Sequence, residues 1–553
     1  DVRLGKQQVV WGTADGIKLL DMINPTDWSE FNQNAPADAR IPVWMVNAEK
    51  YLDDGSNLQV IFSQAVKNNI AGLNATGDSG HPFVMKGVDT ITGKVNGFYN
   101  IAPALAAVAS TFNGLAQGFG FANDSNLAMF GSASVDGFAS SVSGSQALTF
   151  AGACTSSYYD AAGSGTATSS KCLHNIAQLG LSGNYANDSI TNLIDPHTSS
   201  DTSSGAASSW DLANPDSAFE YMPNATFPTF NTFAGATSEY VVKKPDNIDA
   251  NFATRFRKTL DNGLNFTMNY AYRYDSNPSV SVGWYDRSTN EKLTTELRSA
   301  NTGDTSTSNT SGSGGTNIPG VFATGSVVTL DNIPTTYSGS NAVSVLLKNA
   351  AGEYYGAKDF DVNDTLSSGS DYTTNGVKLR FTEEMHRIHT IGGSFDYALD
   401  TESAPVVLRG EFTYDKDTYV PVIDRRAMAI GDIEHALTSR KADMFKYVLG
   451  ADTTVLTDMM LSGQFIQFRN LDYIDTPRTC VSEGSTSFNC STYTGDMATL
   501  SLTNDMKKAE KNKEFYSLFF SKPFGESGEG RWNNIFIYEE GGGKWNRFDV
   551  EYG

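Results

Sequence analysis

HRIHTIGGSFDYALDTESAPVVLRGEFTYDKDTY, His386 to Tyr419, decides how the chain reads. Before its central DTESA turn, Ile391, Gly393, Phe395, Tyr397 and Leu399 fall on one face. Thr390, Gly392, Ser394, Asp396 and Ala398 fall on the other. After the turn, Val406, Leu408, Gly410, Phe412 and Tyr414 continue the apolar series, opposed by Val407, Arg409, Glu411, Thr413 and Asp415. Alternation with period two marks a strand with two unlike environments. The mean strand of a soluble protein is only about 5–6 residues long. Strands of about ten residues, aromatic on one side and charged on the other, fit a transmembrane barrel with lipid outside and a polar lumen inside.

Composition agrees. The 553 residues include 51 Gly, 32 Phe and 24 Tyr but only six His, with 40% hydrophobic and 18% charged residues. Aromatic and β-branched residues favour strands. No run of about 18 apolar residues exists to make a transmembrane helix. The net charge of −22 argues against a nucleic-acid partner, because binding phosphates needs Lys and Arg. The expected fold is therefore all-β: a transmembrane antiparallel up-and-down β-barrel with long extracellular loops. About twelve strands are visible in this chain, with more in a longer one. The sequence has no signal peptide; it reads as a mature form whose C-terminus is truncated.

The twelve candidates are Val2–Trp11, Ile41–Leu52, Asn57–Ser63, Ala250–Leu260, Leu264–Tyr274, Lys378–Leu399, Pro405–Lys416, Lys441–Asp452, Leu456–Phe468, Lys513–Pro523, Arg531–Glu540 and Trp545–Tyr552. Every second connection is a tight polar turn, such as Asp53–Ser56 or Asp261-Asn262-Gly263, and Asp-Gly and Asn-Gly are strong hairpin signals. The intervening connections are long, except Gly541–Lys544. Short periplasmic turns alternating with long extracellular loops are a property of outer-membrane barrels. The chain divides into first strands (1–63), a large insert (64–249), a hairpin (250–274), a long loop that is partly low-complexity (275–377), and further hairpins (378–553).

LGKQQVVWGTADGIKLLDMINPTDW with RIPVWMVNAEKYL, and later HRIHTIGGSFDYAL, FKYVLGADTT, SGQFIQF and NNIFIYEEGGGKWNRFDVEYG, resemble a proteobacterial outer-membrane family known as domain of unknown function 1302. The resemblance lies in the strands and rests most on Gly5-Lys6-Gln7, Trp11-Gly12, Asn24-Pro25-Thr26-Asp27 and Ile41-Pro42. It implies the outer membrane of a Gram-negative cell and transport of hydrophobic or lipid-like compounds. It supplies no catalytic residue. The 64–249 insert departs from the pattern.

Alternation assigns Arg255, Arg257, Arg273, Arg409, Glu411, Lys446, Arg547, Asp549 and Glu551 to the lumen. Opposed charges there set solute selectivity; the plainer alternative is paired charges filling a narrow barrel, and both stay open. Cys154/Cys172 and Cys480/Cys490 form two locally spaced pairs in Ser/Thr/Gly-rich loops, as disulfides of an oxidising compartment do. Asp359, Asp361 and Asn363 alternate like the start of an EF-type calcium loop. The Gly at position six and Glu at twelve are lacking, so an acidic loop without metal is the favoured reading, a structural calcium the minor one. No nucleophile elbow, P-loop or dinucleotide fingerprint stands in a suitable context, and no enzyme is expected. Expected partners are outer-membrane lipid and lipopolysaccharide, with periplasmic lipid carriers or inner-membrane transport proteins. A channel is the first functional expectation. A structural or adhesive surface protein anchored by its barrel is the second, and a secreted β-rich enzyme or binding sandwich the third.

Overall fold

The computed structural model describes residues 1–69, 222–299, 326–356 and 375–553, apart from short internal stretches such as 29–37 and 497–505, together with a few positions in 88–106 and 372–373. Cys154, Cys172, Asp359, Asp361 and Asn363 lie outside the described residues, so the first disulfide and the calcium expectation are not addressed by it.

The dominant element is one antiparallel sheet whose strands follow one another in chain order. They are β1 (Val2–Gln7), β2 (Val43–Tyr51), β3 (Asn57–Gln64), β4 (Ala250–Thr259), β5 (Asn265–Tyr274) and β6 (Arg387–Leu399). The path continues through β7 (Val406–Asp424), β8 (Leu437–Val455), β9 (Met459–Asn470), β10 (Asn512–Phe524), β11 (Gly530–Glu539) and β12 (Lys544–Tyr552). Each strand pairs with its neighbours in this order, and the path is open: β1 and β12 do not pair with each other among the described residues. The protein is all-β with a few short helices. Among the described residues no helix is long and apolar enough to cross a membrane, which says nothing of strands.

The links keep the alternation read from the sequence. Residues 52–56, 260–264, 456–458 and 525–529 close tight hairpins at one end, and at the same end β6 and β7 stay paired as far as Leu399 and Val406. Gly55 and Gly263 take φ of 75° and 85° there, conformations that cost glycine little. The other links are long except for 540–543.

Three boundaries differ from the expectation, each for a local reason. The first strand stops at Gln7: Val9 N donates to Asn24 Oδ1 and Trp11 N to Asp21 Oδ1, so side chains take the hydrogen bonds a ladder would use. The predicted strand Lys378–Leu399 breaks at Met385-His386. Its first part, Val377–Glu384, leaves for a small sheet, parallel to Thr237–Lys243 and antiparallel to Ser279–Asp286. The predicted loop 417–440 is largely strand: β7 and β8 pair as far as Ile423 and Leu437 past an irregularity between Asp415 and Thr418. Helices Arg425–Ala429 and Ile433–Ala436 join them.

The small sheet, a second sheet built on Thr294–Ser299 and Val343–Lys348, and the two helices all lie in or between the long connections. Leu297, Val343, Val345 and Ile430 share a buried cluster with Cys480 and Cys490. These cysteines are disulfide-bonded, with Cα atoms 5.7 Å apart, across the hairpin Thr479–Val481/Ser487–Asn489. Closing so short a loop contributes about 2–4 kcal/mol to the unit it closes. Cys480→Ser with Cys490→Ser is therefore expected to speed tryptic cleavage at Arg478 severalfold while the twelve-strand sheet keeps its unfolding temperature. Equal loss at both places would contradict a locally acting disulfide.

A second expectation concerns Asp286, at the end of Ser279–Asp286. Burial pushes its carboxyl up, but Tyr355 Oη, Asn375 Nδ2 and the backbone N–H groups of Ser288 and Thr289 all donate to it and hold it down at about 2. The folded value lies below the roughly 3.9 of an unfolded Asp, so this stabilisation is complete above that pH and is lost as pH falls towards 2. Amide exchange in 286–291 is expected to hold steady from pH 7 to 5, after correction for intrinsic rates, and to accelerate below pH 4.

Candidate functional site

Register divides the main sheet into two unlike faces. Met268, Ile391, Phe412, Leu449, Phe465, Leu518 and Phe536 stand at mid-strand on seven neighbouring strands, β5 to β11, all on one face. Met268 is 64% exposed and Ile391 and Leu449 are each 51% exposed. Charges on this face keep to strand ends, as with Lys50, Lys258, Arg469 and Lys544. Aromatic rings run along both margins. Towards the long connections, Phe62 meets Phe252 and Tyr516 meets Tyr538. Towards the tight turns, Phe256 meets Phe266, Phe524 meets Tyr552, and Trp532 meets Phe548. Trp545, which also sits near a strand end, faces the other way, because it pairs with Ile537 rather than continuing the Phe548 series.

The opposite face carries every charge assigned from alternation. Arg255 and Arg257 lie on β4, Arg273 on β5, Arg409 and Glu411 on β7, Lys446 on β8, and Arg547, Asp549 and Glu551 on β12. The register gives all of them the same side. Most are paired along this face with a near neighbour. Asp415, 2% exposed, takes Lys446 at 2.8 Å and Arg273 at 3.6 Å and accepts from Thr390 Oγ1. Arg409 meets Asp452 at 2.6 Å and donates to Ser462 Oγ. Arg547 pairs with Asp549. Glu551 lies opposite Arg531 in register. Buried charges demand such partners. Asp415 and Asp452 complete these groups; neither is among the nine charges assigned to the lumen, although both fall in the same alternation.

What the sequence did not reveal is a strap over this face. The described residues of 9–23 leave β1 and pack against the sheet instead of looping away. Val9, Trp11, Leu20, Met22 and Ile23 join one buried cluster with Val43, Met45, Ile61, Ala253 and Ala271. Leu19, with Ala14 and Ile17 beside it, joins another with Val448 and Ile466. Gly392 makes room, since a Cβ there would stand 2.8 Å from Leu20 Cδ2. Polar contacts fix the strap at three points. Trp11 Nε1 donates to Gln59 Oε1 at 2.9 Å. Glu411, 3% exposed, accepts from Thr13 N, Thr13 Oγ1 and Ala14 N. Arg409 donates to Thr13 O at 2.8 Å. Asp21 pairs with Arg40, and Asn24 donates to Gln7 O and Ile41 O, which closes the base of the strap. In the Asn24–Trp28 turn, Asn24 and Thr26 are buried and Trp28 is exposed.

His386 and His389 do not meet. His386 bonds Ser279 Oγ and stacks on Tyr419, whereas His389 lies tilted against Tyr272 and bonds Tyr270 Oη. Ser394 is held by Thr267. No group of three or more His, Cys, Asp or Glu able to hold a metal occurs among the described residues.

Fold and faces thus define an all-β protein with a twelve-strand antiparallel meander, apolar and exposed on one side, charged and strapped on the other. A family model described as a protein of unknown function (DUF1302) matches residues 1–504, and the chain belongs to that family. None of the curated proteins matches it.

Proposed function

We propose that the main sheet is the wall of an outer-membrane β-barrel that acts as a channel for small, hydrophobic or lipid-like compounds. The observation that carries this reading is the uncharged mid-strand row from Met268 to Phe536, exposed at every position except the half-buried Phe465. A sheet in water buries such a face against another layer, and exposed apolar patches beyond a few hundred Å² mark an interaction surface. Lipid supplies the missing layer. Phe266 to Tyr274 on β5 spans about 27 Å along the strand, or about 20 Å of depth at a tilt of 35–45°, the scale of the roughly 25 Å apolar band of such barrels. The two aromatic margins fit the interfacial girdles. In this reading the tight turns face the periplasm, where carriers or inner-membrane partners meet the barrel, and lipopolysaccharide surrounds the other margin; the alternating loop lengths support that orientation.

In this reading the charged face is the lumen wall, and the strap 9–23 narrows the passage. The compact sheets within the long connections favour a second reading, a surface protein that uses the barrel as an anchor. Single-channel recording in planar bilayers separates the two. Steady conductance of the purified chain supports the channel. A barrel that inserts but stays silent, both as wild type and when the strap is loosened, supports the anchor.

A further inference from the structure

Among the cations assigned from alternation, one pair stands apart from the other four. Arg255 and Arg257, two residues apart on β4, make no ion pair among the described residues, whereas Arg273, Arg409, Lys446 and Arg547 all do. Their separation along the strand is about 7 Å. Trp11, part of the strap, lies under the Arg255 guanidinium at 5.5 Å from ring centre to Cζ, which holds that cation without neutralising it. In register, Arg257 faces Asn57 and Arg255 faces Gln59, which carries the Trp11 indole. Asn57 is only 5% exposed, and its Nδ2 has no hydrogen-bond partner; neither has Arg255 Nε. Glu49, on the same face of β2 and next in that row, lies beyond ion-pair distance of both arginines. On the other side of Arg255, Asn269 Oδ1 is an unpartnered acceptor.

We propose that Arg255, Arg257 and Asn57 form an oxyanion site on the lumen wall near the tight-turn end, for a carboxylate or phosphate group. The proposal rests on the channel reading for its place in the lumen. Two guanidiniums and one buried amide offer charge-assisted donors in a single patch, and forked guanidinium donors match the geometry of carboxylate and phosphate. Asn269 Oδ1 adds an acceptor for the one proton that hydrogen phosphate carries. A buried amide donor left empty is costly, and an anion from the lumen fills it.

The test is calorimetric titration of the full chain in neutral detergent with sodium phosphate, sodium decanoate and, as an uncharged control, decanol. Wild type is expected to bind at least one anion saturably. Binding of both marks a site for free oxyanions; binding of decanoate alone marks a site for the head group of an amphiphile. Arg255→Gln with Arg257→Gln is expected to weaken anion binding at least about fivefold, consistent with charged hydrogen bonds, and to leave decanol unchanged. Asn57→Asp should do the same while keeping the fold, because it supplies an internal carboxylate to both arginines. No saturable anion binding by wild type, a smaller loss in these variants, or a parallel loss of decanol binding overturns the site. Conductance without anion binding removes the site and spares the channel; anion binding by a chain that never conducts removes the channel and spares the site.

Discussion

Leu449→Arg is expected to cost about 2–4 kcal/mol of folding free energy in a bilayer, the penalty of a cation at mid-depth on the lipid face of a barrel. Leu449 is 51% exposed at the centre of β8, paired with Gly410 on β7 and Phe465 on β9. In water the same change would be nearly neutral, because surface substitutions away from special features stay within about 0.5 kcal/mol. Leu456→Arg serves as the control. It lies seven residues along, in the 456–458 turn, and is 71% exposed. Urea unfolding from lipid vesicles measures both. A large effect at 449 with little at 456 supports lipid at mid-strand; two small effects would leave that face in water.

Glu411→Ala is expected to cost about 3 kcal/mol and to raise conductance. Glu411 holds Thr13 and Ala14 through three donors while 3% exposed. Removing a buried carboxylate strands these donors, each at about 1–3 kcal/mol if it stays dry. The strap escapes that penalty by lifting into water, which trades stability for an open passage. Its grip at Trp11 and Arg409 remains, so the opening is partial. Thermal unfolding and single-channel recording on one preparation read both quantities. Lower stability with unchanged conductance would make the strap a purely structural filler.

These two positions show how far the sequence carried. Leu449 and its counterparts were legible because strand periodicity is local: a residue and its next-but-one neighbour share a face whatever the strand pairs with. Tight turns were legible for the same reason, through Asp54-Gly55 and Asn262-Gly263. Register then follows from turn geometry, which is why nine scattered charges land on one face. The strap was not legible. Residues 9–23 have neither strand nor helix period, and their burial depends on partners far along the chain, such as Gln59, Glu411 and Ile466. Trp11-Gly12, on which part of the family resemblance rests, sits where the strap meets the sheet. The pairing of charges along the charged face was likewise hidden. Arg273 reaches Asp415 past the intervening strand β6, a neighbour that only the strand order supplies. The break at Met385-His386 was masked because only two residues, neither Gly nor Pro, separate Val377–Glu384 from Arg387–Leu399 while the backbone changes sheets.

Lipid contact on one face of β8 is the claim on which the rest depends, and a nitroxide scan of residues 444 to 451 in reconstituted vesicles tests it most directly. Collision rates with oxygen and with a water-soluble nickel chelate are read at each position. The account predicts high oxygen and low nickel accessibility at 445, 447, 449 and 451, and the reverse or low values for both at 444, 446, 448 and 450. Nickel accessibility at 447 and 449 equal to that of the 456–458 turn would contradict it.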